Sequence, residues 1–467
     1  MRPPSLGPYS GLVSVRHLAG PLWLSSNPSP GSAVAASLNG VKLELEGWPM
    51  KVLILSINYW PEVTGIGAFT TYRAEYLAAV GHDVEVCTTF PYYPEWKVPQ
   101  DYAGKLTASE ERNGVRILRS YAYVPNPATS LKRVLHEATF IASSMVRAIA
   151  RKRPDLLLVV SPPLGLAVNA ILLSRLWRIP YVFDVEDLQP DSAAELNMLP
   201  SWALKFLYKV EKAAYRRAAL VTTLTNGMRN QIVGKGIPPE KVELLEARVD
   251  DSLFDIGASE GSEFRQRYGL ENKFLVTHSG NMGVKQGLDV IVDAAVLNRG
   301  DDSMQFLFVG DGAVCGRIKR RVAELELHNV RFLPLLEAKD FRGLLAASDI
   351  CLLTQQKSVS EIAFPSKIVT YLAAGRPVIA SVNPNCETAQ TIRESGAGTI
   401  VAPEDGAALL AAIHEFRGAD LREYRQNAQE YASRRWSSTR VLGHLERSLL
   451  SVAASVTHSL AQEGTIR

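Results

Sequence analysis

The sequence predicts an α/β protein of two domains, each an open parallel sheet covered by helices, with the carboxyl ends of both sheets facing one cleft. Three observations lead there. The 467 residues exceed what one hydrophobic core usually organises. Short aliphatic or β-branched runs alternate with helical stretches, the pattern of crossover connections between parallel strands. The alternation breaks off near residue 250 and then starts again.

From the amino end, Val52–Ile57, Asp83–Thr88, Val115–Ser120, Leu156–Val160, Tyr181–Phe183 and Leu220–Thr223 read as strands. Helices between them include Phe69–Val80, Arg133–Arg151 and Trp202–Arg217. After a connector around Arg248 to Ser259, a second set follows: Phe274–Ser279, Gln305–Val309, Val330–Phe332, Ile350–Leu353, Val378–Ala380 and Gly398–Val401. The tail from Leu421 to about Ser451 is helical in pattern and opens no new strand, so it is expected to return to the first domain. These readings set domains at 50–250 and 251–420, with a helical tail at 421–467. Residues 1–49 carry Pro3, Pro4, Pro8, Pro21, Pro28 and Pro30 among Gly and Ser, without a repeating apolar face. They lack the compact apolar core and basic start of a secretory signal. The expectation is a flexible extension, or a stretch ahead of a true start at Met50, outside the fold either way.

Composition narrows the function. Lys and Arg number 51 against 48 Asp and Glu, which argues against gripping nucleic acid through its phosphates. Cys87, Cys315, Cys351 and Cys386 are scattered, with no CxxC spacing, and read as reduced thiols of a cytoplasmic protein. The long apolar stretch from Leu156 to Tyr181 is broken by Pro162, Pro163, Arg175 and Arg178, so it is strand, loop and helix, not a membrane span.

Four strand-end turns could carry chemistry. The first strand leads into Gly65-Ile66-Gly67 at a helix start, where backbone N–H groups can approach phosphate; a tight turn that only packs helix on strand is the equal alternative. In the second domain Gly280-Asn281-Met282-Gly283-Val284-Lys285 suits a diphosphate, Lys285 adding charge to the helix end. Next, Val309-Gly310-Asp311-Gly312 is expected to point amides at the cleft, although Asp311 could instead cap a helix beginning near Ala313. Further on, Pro365-Ser366-Lys367 opens a helix whose free amides and lysine make an anion seat, and Ala373, Ala374 and Gly375 let that helix end close to the next strand.

On the other side of the cleft, Asp184-Val185-Glu186-Asp187 forms a dense acidic turn after a buried strand. Asp187 or Glu186 could hold ligand hydroxyls or support positive charge that develops on a ligand, could cap a helix, or could form a DxD-like metal site. Basic and apolar residues alternate at helical spacing from Leu131 to Arg153 and from Trp202 to Arg217. Lys132, Arg133, Arg147, Arg151, Lys152 and Arg153 could meet anionic headgroups while Phe140, Ile141, Met145 and Ile149 face apolar material; equally, the apolar face could cover the sheet.

Taken in order, Lys51-Val52-Leu53-Ile54-Leu55 with Gly65-Ile66-Gly67, then Gly280-Asn281-Met282-Gly283, Val309-Gly310-Asp311-Gly312, and Phe364-Pro365-Ser366-Lys367 with Ala373-Ala374-Gly375-Arg376-Pro377-Val378-Ile379 resemble a family 4 retaining glycosyltransferase of the GT-B fold. The resemblance covers residues 50 to about 450 and is nearest to the colanic-acid biosynthesis branch. It implies two Rossmann-like domains, a nucleotide-sugar donor, a lipid-linked saccharide acceptor and no cofactor. Donor contacts are expected at Gly65, Gly67, Gly280, Asn281, Gly283, Asp311, Glu361, Ser366 and Thr370, with Lys285, Lys367, Glu186 and Asp187 as catalytic groups. A place at the inner face of the plasma membrane follows from such an acceptor, and GDP-fucose is the donor that the branch suggests.

The chain also departs from the family. Many members carry two glutamates eight positions apart before the Ala-Met-Ala-x-Gly helix, the second holding the ribose. Here Ile362 and Thr370 stand at those places, with Glu361 one position early. The arginine and lysine that flank the diphosphate elsewhere fall on Asn281 and Gln286, with Lys285 alongside. The histidine that many relatives carry near the acidic turn is missing from that segment. A nucleotide-sugar 2-epimerase, or a catalytically silent sugar-nucleotide-binding subunit, would use the same fold. A nicotinamide dehydrogenase fits less well, since no complete GxGxxG is followed by a suitably placed acidic residue.

Overall fold

The computed structural model describes residues 36–38, 41–43, 49–62, 65–126, 129–195, 199–358 and 365–464. Two sheets dominate, an eight-stranded one in the first domain and a six-stranded one in the second. Within 1–49, β1 (Ala36–Leu38) pairs antiparallel with β2 (Val41–Leu43), apart from both sheets.

In the first domain the order along the chain is β3 (Lys51–Leu55), α1 (Gly65–Ala79), β4 (Asp83–Thr89), β5 (Thr107–Arg112), β6 (Val115–Ser120), α2 (Ser130–Ile149), β7 (Leu156–Ser161), α3 (Leu166–Trp177), β8 (Tyr181–Val185), α4 (Gln189–Glu195), α5 (Ser201–Arg217), β9 (Leu220–Thr223), α6 (Asn226–Gly234) and β10 (Val242–Leu244). Across the sheet the order is β10-β9-β8-β7-β3-β4-β6-β5. Strands β3 and β7 are apolar runs, as is β8 up to Phe183, because helices cover both faces. The exception to the expected parallel sheet is β5, which pairs antiparallel with β6 at the edge. Its sequence, Thr-Ala-Ser-Glu-Glu-Arg, is polar because one flank meets water, and charge on an edge strand discourages further pairing.

The connections β7–α3–β8 and β8–α5–β9 run in one direction across the sheet, and right-handed crossovers therefore place α3 and α5 on the same face. Helices α2 and α6 join them: Phe140, Leu173, Tyr215 and Ile232 bury into one cluster with Leu53, Val159 and Phe183. Helix α1 lies on the opposite face.

The second domain contains α7 (Ala258–Tyr268), β11 (Phe274–Ser279), α8 (Asp289–Leu297), β12 (Met304–Val309), α9 (Cys315–Glu324), β13 (Val330–Leu333), α10 (Ala338–Ala347), β14 (Ile350–Thr354), α11 (Lys367–Ala373), β15 (Val378–Ser381), α12 (Glu387–Ser395), β16 (Gly398–Val401) and α13 (Gly406–Gly418). Its order is β13-β12-β11-β14-β15-β16, all parallel. The chain winds outward from β11 on one side and from β14 on the other, so a crevice opens between their carboxyl ends.

The tail is two helices, α14 (Arg422–Trp436) and α15 (Ser438–Gly464). Helix α14 packs on the second domain through Ala428, Ala432 and Trp436. The chain then crosses beside the other connector: Val249 N–H donates to the Trp436 carbonyl at 2.9 Å, Ser438 N–H to Asp251 at 2.9 Å and Trp436 Nε1 to Glu246 at 3.0 Å. Helix α15 lies on the first domain, burying Val441, Leu442, Leu445 and Leu449 against Met50, Val52, Tyr76 and Leu77. Tyr76 also donates to Glu446 at 2.9 Å.

Candidate active site

Two glycine turns build the floor of the second domain's crevice. Gly280 follows β11 at φ +101°, and Gly310 follows β12 at φ +121°. A side chain at Gly310 would meet the Gly280 carbonyl at 2.4 Å, and one at Gly312 would meet Asn281 Oδ1 at 2.6 Å. The glycines are required because the turns lie on each other, held by Met282 N–H to the Asp311 carbonyl at 2.8 Å and Val314 N–H to the Met282 carbonyl at 3.0 Å.

This stacking corrects part of the expectation that the second turn aims its amides at the cleft: its two glycine amides are taken within the protein, while among the described residues nothing accepts from Asp311 N–H. Gly310 N–H is used by the Leu333 carbonyl and Gly312 N–H by Asp311 Oδ1. Nor does Asp311 cap the following helix, which starts later, at Cys315, behind Val314. Gly280 N–H is likewise taken by the Val309 carbonyl. Among the described residues, nothing accepts from the amides of Asn281 or Gly283, so the first turn keeps open donors.

Lys367, the first residue of α11, reaches over this turn. Its Nζ donates to the Asn281 carbonyl at 3.1 Å and lies 3.0 Å from His278 Nε2. The bare Cα of Gly280 makes the passage possible: a Cβ there would stand 3.1 Å from Lys367 Cε. Tyr371, one turn along α11, pins the helix to β11 by accepting from Ser279 N–H at 3.0 Å. Burial pushes the Lys367 ammonium down to about 8. Burial, and then the adjacent Lys367 charge, hold His278 well below the usual histidine range, so its ring is neutral and Nε2 accepts. The crevice therefore presents a desolvated ammonium beside open amides, an arrangement suited to negative charge that increases during a reaction.

The other expected donor residues are less committed. Lys285 is exposed on the single 3-10 turn Val284–Gln286, with only its carbonyl held, by Gln356 N–H at 2.9 Å. Among the described residues it makes no contact with Lys367. Ser366 is exposed before α11 and makes no capping hydrogen bond, and Thr370 is half-buried one turn later. Glu361 lies outside the described residues. In the first domain, a Cβ on Gly67 would meet that of Glu62 at 2.9 Å, so close packing accounts for this glycine. Glu62 in turn accepts from Tyr92 N–H at 3.1 Å and Tyr93 N–H at 3.0 Å. Gly65 has open space around its Cα at φ +60°.

The acidic turn is organised by a residue that sequence reasoning missed. Arg73, on α1, is buried and ion-paired with both Asp184 and Glu186. Asp184 also accepts from Thr222 at 2.6 Å. Burial, with Asp184 close by, pushes Glu186 up to about 7, and its Oε2 finds no partner among the described residues. Glu186 is thus turned inward onto a guanidinium. Asp187 is the exposed carboxylate, taking a hydrogen bond from Ser192 at 3.0 Å. The arginine fills the space between the two inner carboxylates, where a DxD-like site would place its cation.

Beyond the turn, Gln189 bonds Glu137 on α2, whose carboxyl burial pushes up to about 7. The adjacent His136 sits edge-on to Tyr92 and Trp96, with ring centroids 4.5 and 5.4 Å away. A histidine therefore does stand at this edge of the sheet, supplied by a helix rather than by the acidic segment. The signal was a His-Glu pair inside an amphipathic helix.

The two carboxyl edges meet across the cleft. Glu387, the first residue of α12, accepts from Asn226 N–H at 3.0 Å and Gly227 N–H at 3.2 Å, the opening amides of α6. A carboxylate at a helix start is favoured by the helix dipole, and here it ties one domain to the other.

Comparison with known proteins agrees with this geometry. Residues 64–247 match the Glycosyl transferase 4-like domain and residues 273–417 the Glycosyl transferases group 1 family. The chain is 31% identical over 402 residues to a protein of Escherichia coli K12 named as the colanic acid biosynthesis glycosyl transferase WcaI, covering 84% of this chain and 98% of that one. It is 24% identical over 395 residues to the GDP-mannose-dependent alpha-(1-6)-phosphatidylinositol monomannoside mannosyltransferase of Mycolicibacterium smegmatis, covering 83% and 93%. Among solved structures, Anabaena HepE in complex with UDP superposes with a TM-score of 0.63 at 20% identity, covering 86% of this chain and 100% of that one. WaaG, a glycosyltransferase of lipopolysaccharide biosynthesis, gives 0.56 at 18% identity, covering 84% and 97%. With its two facing α/β domains and these matches along almost its whole length, the chain belongs to the glycosyltransferases of the GT-B fold.

Proposed function

We propose that this glycosyltransferase moves a sugar from a nucleoside diphosphate to a lipid-linked saccharide during extracellular polysaccharide biosynthesis at the cytoplasmic face of the membrane. The observation that carries the reading is Lys367, desolvated at the mouth of the second domain's crevice beside the open amides of Asn281 and Gly283. As the glycosidic bond breaks, negative charge grows on the leaving diphosphate, and a preorganised ammonium stabilises that charge more than it stabilises the bound donor. The acceptor lies against the first domain, with the exposed Asp187 available to its hydroxyls. The reading includes transfer with retention, on the strength of the family resemblance, and no metal ion. Arg73 between the acidic side chains supports the latter.

The names of the relatives support the polysaccharide context, through colanic acid biosynthesis for WcaI. HepE, crystallised with UDP-glucose, and the mannosyltransferase, dependent on GDP-mannose, make nucleotide sugars of both bases reasonable donors. The test is incubation with labelled GDP-fucose, GDP-mannose and UDP-sugars in EDTA, with and without a lipid-linked acceptor extract. Label is expected in the lipid fraction, from one donor. Donor consumption without acceptor would indicate epimerisation instead, and activity restored only by Mn²⁺ would return the acidic turn to a metal-binding role.

A further inference from the structure

The helical layer over the first domain's sheet has an outer surface that its inner packing leaves unexplained. Phe140 of α2 is buried against the sheet, and Ile141 and Met145 pack inward beside it. Arg151 is held by Glu85 at 2.6 Å, and Arg147 reaches the carbonyl of Ala108 at 3.3 Å, so these two cations are also engaged within the domain. A different set of side chains faces outward. On α2 they include Leu135 and Val146, eleven residues apart and therefore on one side of the helix, with Val146 73% exposed. On α3 they are Val168, Leu172 and Leu176, at four-residue spacing, and on α5 Trp202 and Phe206, exposed by 75% and 62%.

The three helices adjoin. Asn169 of α3 donates to the Ile141 carbonyl of α2 at 2.9 Å, and α3 packs along α5. Their outer stripes therefore form one surface. Its exposed ionic groups share one sign: Arg133 and Arg175 on α2 and α3, and Lys205, Lys209 and Arg216 on α5. Among the described residues of these helices no carboxylate is exposed; Glu211 is buried against Lys235 at 2.8 Å, and Glu137 is turned toward Gln189.

We infer that the outer face of α2, α3 and α5 docks on an anionic lipid bilayer, with Leu135, Leu172, Trp202 and Phe206 entering the headgroup boundary and the flanking lysines and arginines meeting lipid phosphates. Large apolar side chains accompanied, on these three helices, by exposed cations match that surface in both polarity and charge. A second copy of the chain fits worse, because a two-fold contact would set the same cations against each other. No helix among the described residues is long and apolar enough to cross a membrane, so the contact is peripheral. Helices in this sheet start at the carboxyl edge of the strands, so Leu135, Val168 and Trp202 lie toward the cleft end of the layer. This deepens the reading of a lipid-linked acceptor by naming the surface that brings the cleft to the bilayer.

The experiment is co-sedimentation of the full chain with vesicles of phosphatidylcholine alone and of phosphatidylcholine with phosphatidylglycerol, with no donor or acceptor present. Binding is expected to the anionic vesicles, weakened by salt. It should fall at least about tenfold in Trp202→Glu/Phe206→Glu. Leu172→Glu, on the neighbouring helix, should give a smaller loss, and Lys205→Glu/Lys209→Glu provides a variant that leaves the apolar side chains in place. Melting temperature and nucleotide binding should match the parent in all three. Equal binding by folded variants, equal binding to both kinds of vesicle, or a concentration-dependent dimer abolished by Trp202→Glu/Phe206→Glu would overturn the inference. Because the readout needs no turnover, vesicle binding without transfer would sink the proposed acceptor while leaving this surface standing, and transfer by a protein that ignores vesicles would do the reverse.

Discussion

Lys367 Nζ lies 3.0 Å from His278 Nε2, a cation held by a neutral ring at the end of β11. Burial holds the ammonium near 8, against an ordinary value of 10.5. Donor affinity is therefore expected to be level up to about pH 7 and to fall as pH rises past 8, with a proton taken up on binding in that range. Calorimetry in buffers of different ionisation enthalpy measures both; an affinity unchanged between pH 7 and 9.5 would separate Lys367 from the diphosphate. Lys367→Ala should lower turnover at saturating donor by about a hundredfold. Lys367→Arg should restore only part, since its planar fork cannot place charge where a compact ammonium did.

The same burial bears on stability with a definite sign. A base whose pKa is lower in the folded chain leaves the unfolded chain binding more protons between pH 8 and 10.5, so this group's contribution to stability rises with pH across that window. Lys367→Met should accordingly stabilise the ligand-free enzyme at pH 7, by on the order of 2 kcal/mol, and lose this advantage toward pH 10.5. Thermal melts of both proteins from pH 7 to 10.5 provide the comparison.

Arg73 answers two buried carboxylates at once. Removing it as Arg73→Met should cost about 3 to 5 kcal/mol, because Asp184 and Glu186 are left uncompensated. The penalty should shrink below pH 7, where Glu186, held up to about 7, takes a proton. A melting temperature lowered equally at pH 6 and pH 8 would show that the arginine acts by packing instead.

Two glycines with positive φ separate conformational strain from close contact. Gly65→Ala meets open space at φ +60°, and should cost only about 1 kcal/mol. Gly310→Ala drives a methyl to 2.4 Å from the Gly280 carbonyl, which should part the two stacked turns and cost about 2 to 4 kcal/mol. Because Asn281 and Gly283 ride on that stack, donor affinity should fall with it; calorimetry on the folded variant decides.

Glu387 bridges the domains at a half-buried site, so Glu387→Ala should lower stability only by about 1 kcal/mol, read as a small drop in melting temperature. It should also raise the donor KM severalfold and enlarge the radius of gyration of the donor-bound enzyme in small-angle scattering. No change in either would show that the cleft closes without this bridge.

Sequence reading found the strands that keep an apolar or β-branched run, including the edge strands at Val330–Leu333 and Gly398–Val401; Val115–Ser120, Leu220–Thr223, Phe274–Ser279 and Gly398–Val401 agree to the residue. Thr107–Arg112 escaped because an edge strand with water on its flank needs no apolar pattern. Val242–Leu244 is too short to show a period. In the site, glycine turns were legible because backbone geometry writes itself into local sequence. Pairs were not. Lys367 and His278 stand 89 positions apart, and Arg73 and Asp184 stand 111 apart, so only the folded chain shows that each needs the other.

Helix α15 gives the chain an unusual order of assembly. The face of the first domain that carries Met50, Val52 and, on α1, Tyr76 is closed by Val441, Leu442, Leu445 and Leu449, which follow the whole second domain in the chain. At ordinary rates of synthesis, the roughly 200 residues that separate residue 250 from these leucines take on the order of 10 to 40 s to appear. During that interval the first domain emerges from the ribosome with an apolar face uncovered until α15 arrives. A stop codon ahead of Val441 would therefore leave the domain made first with this face uncovered.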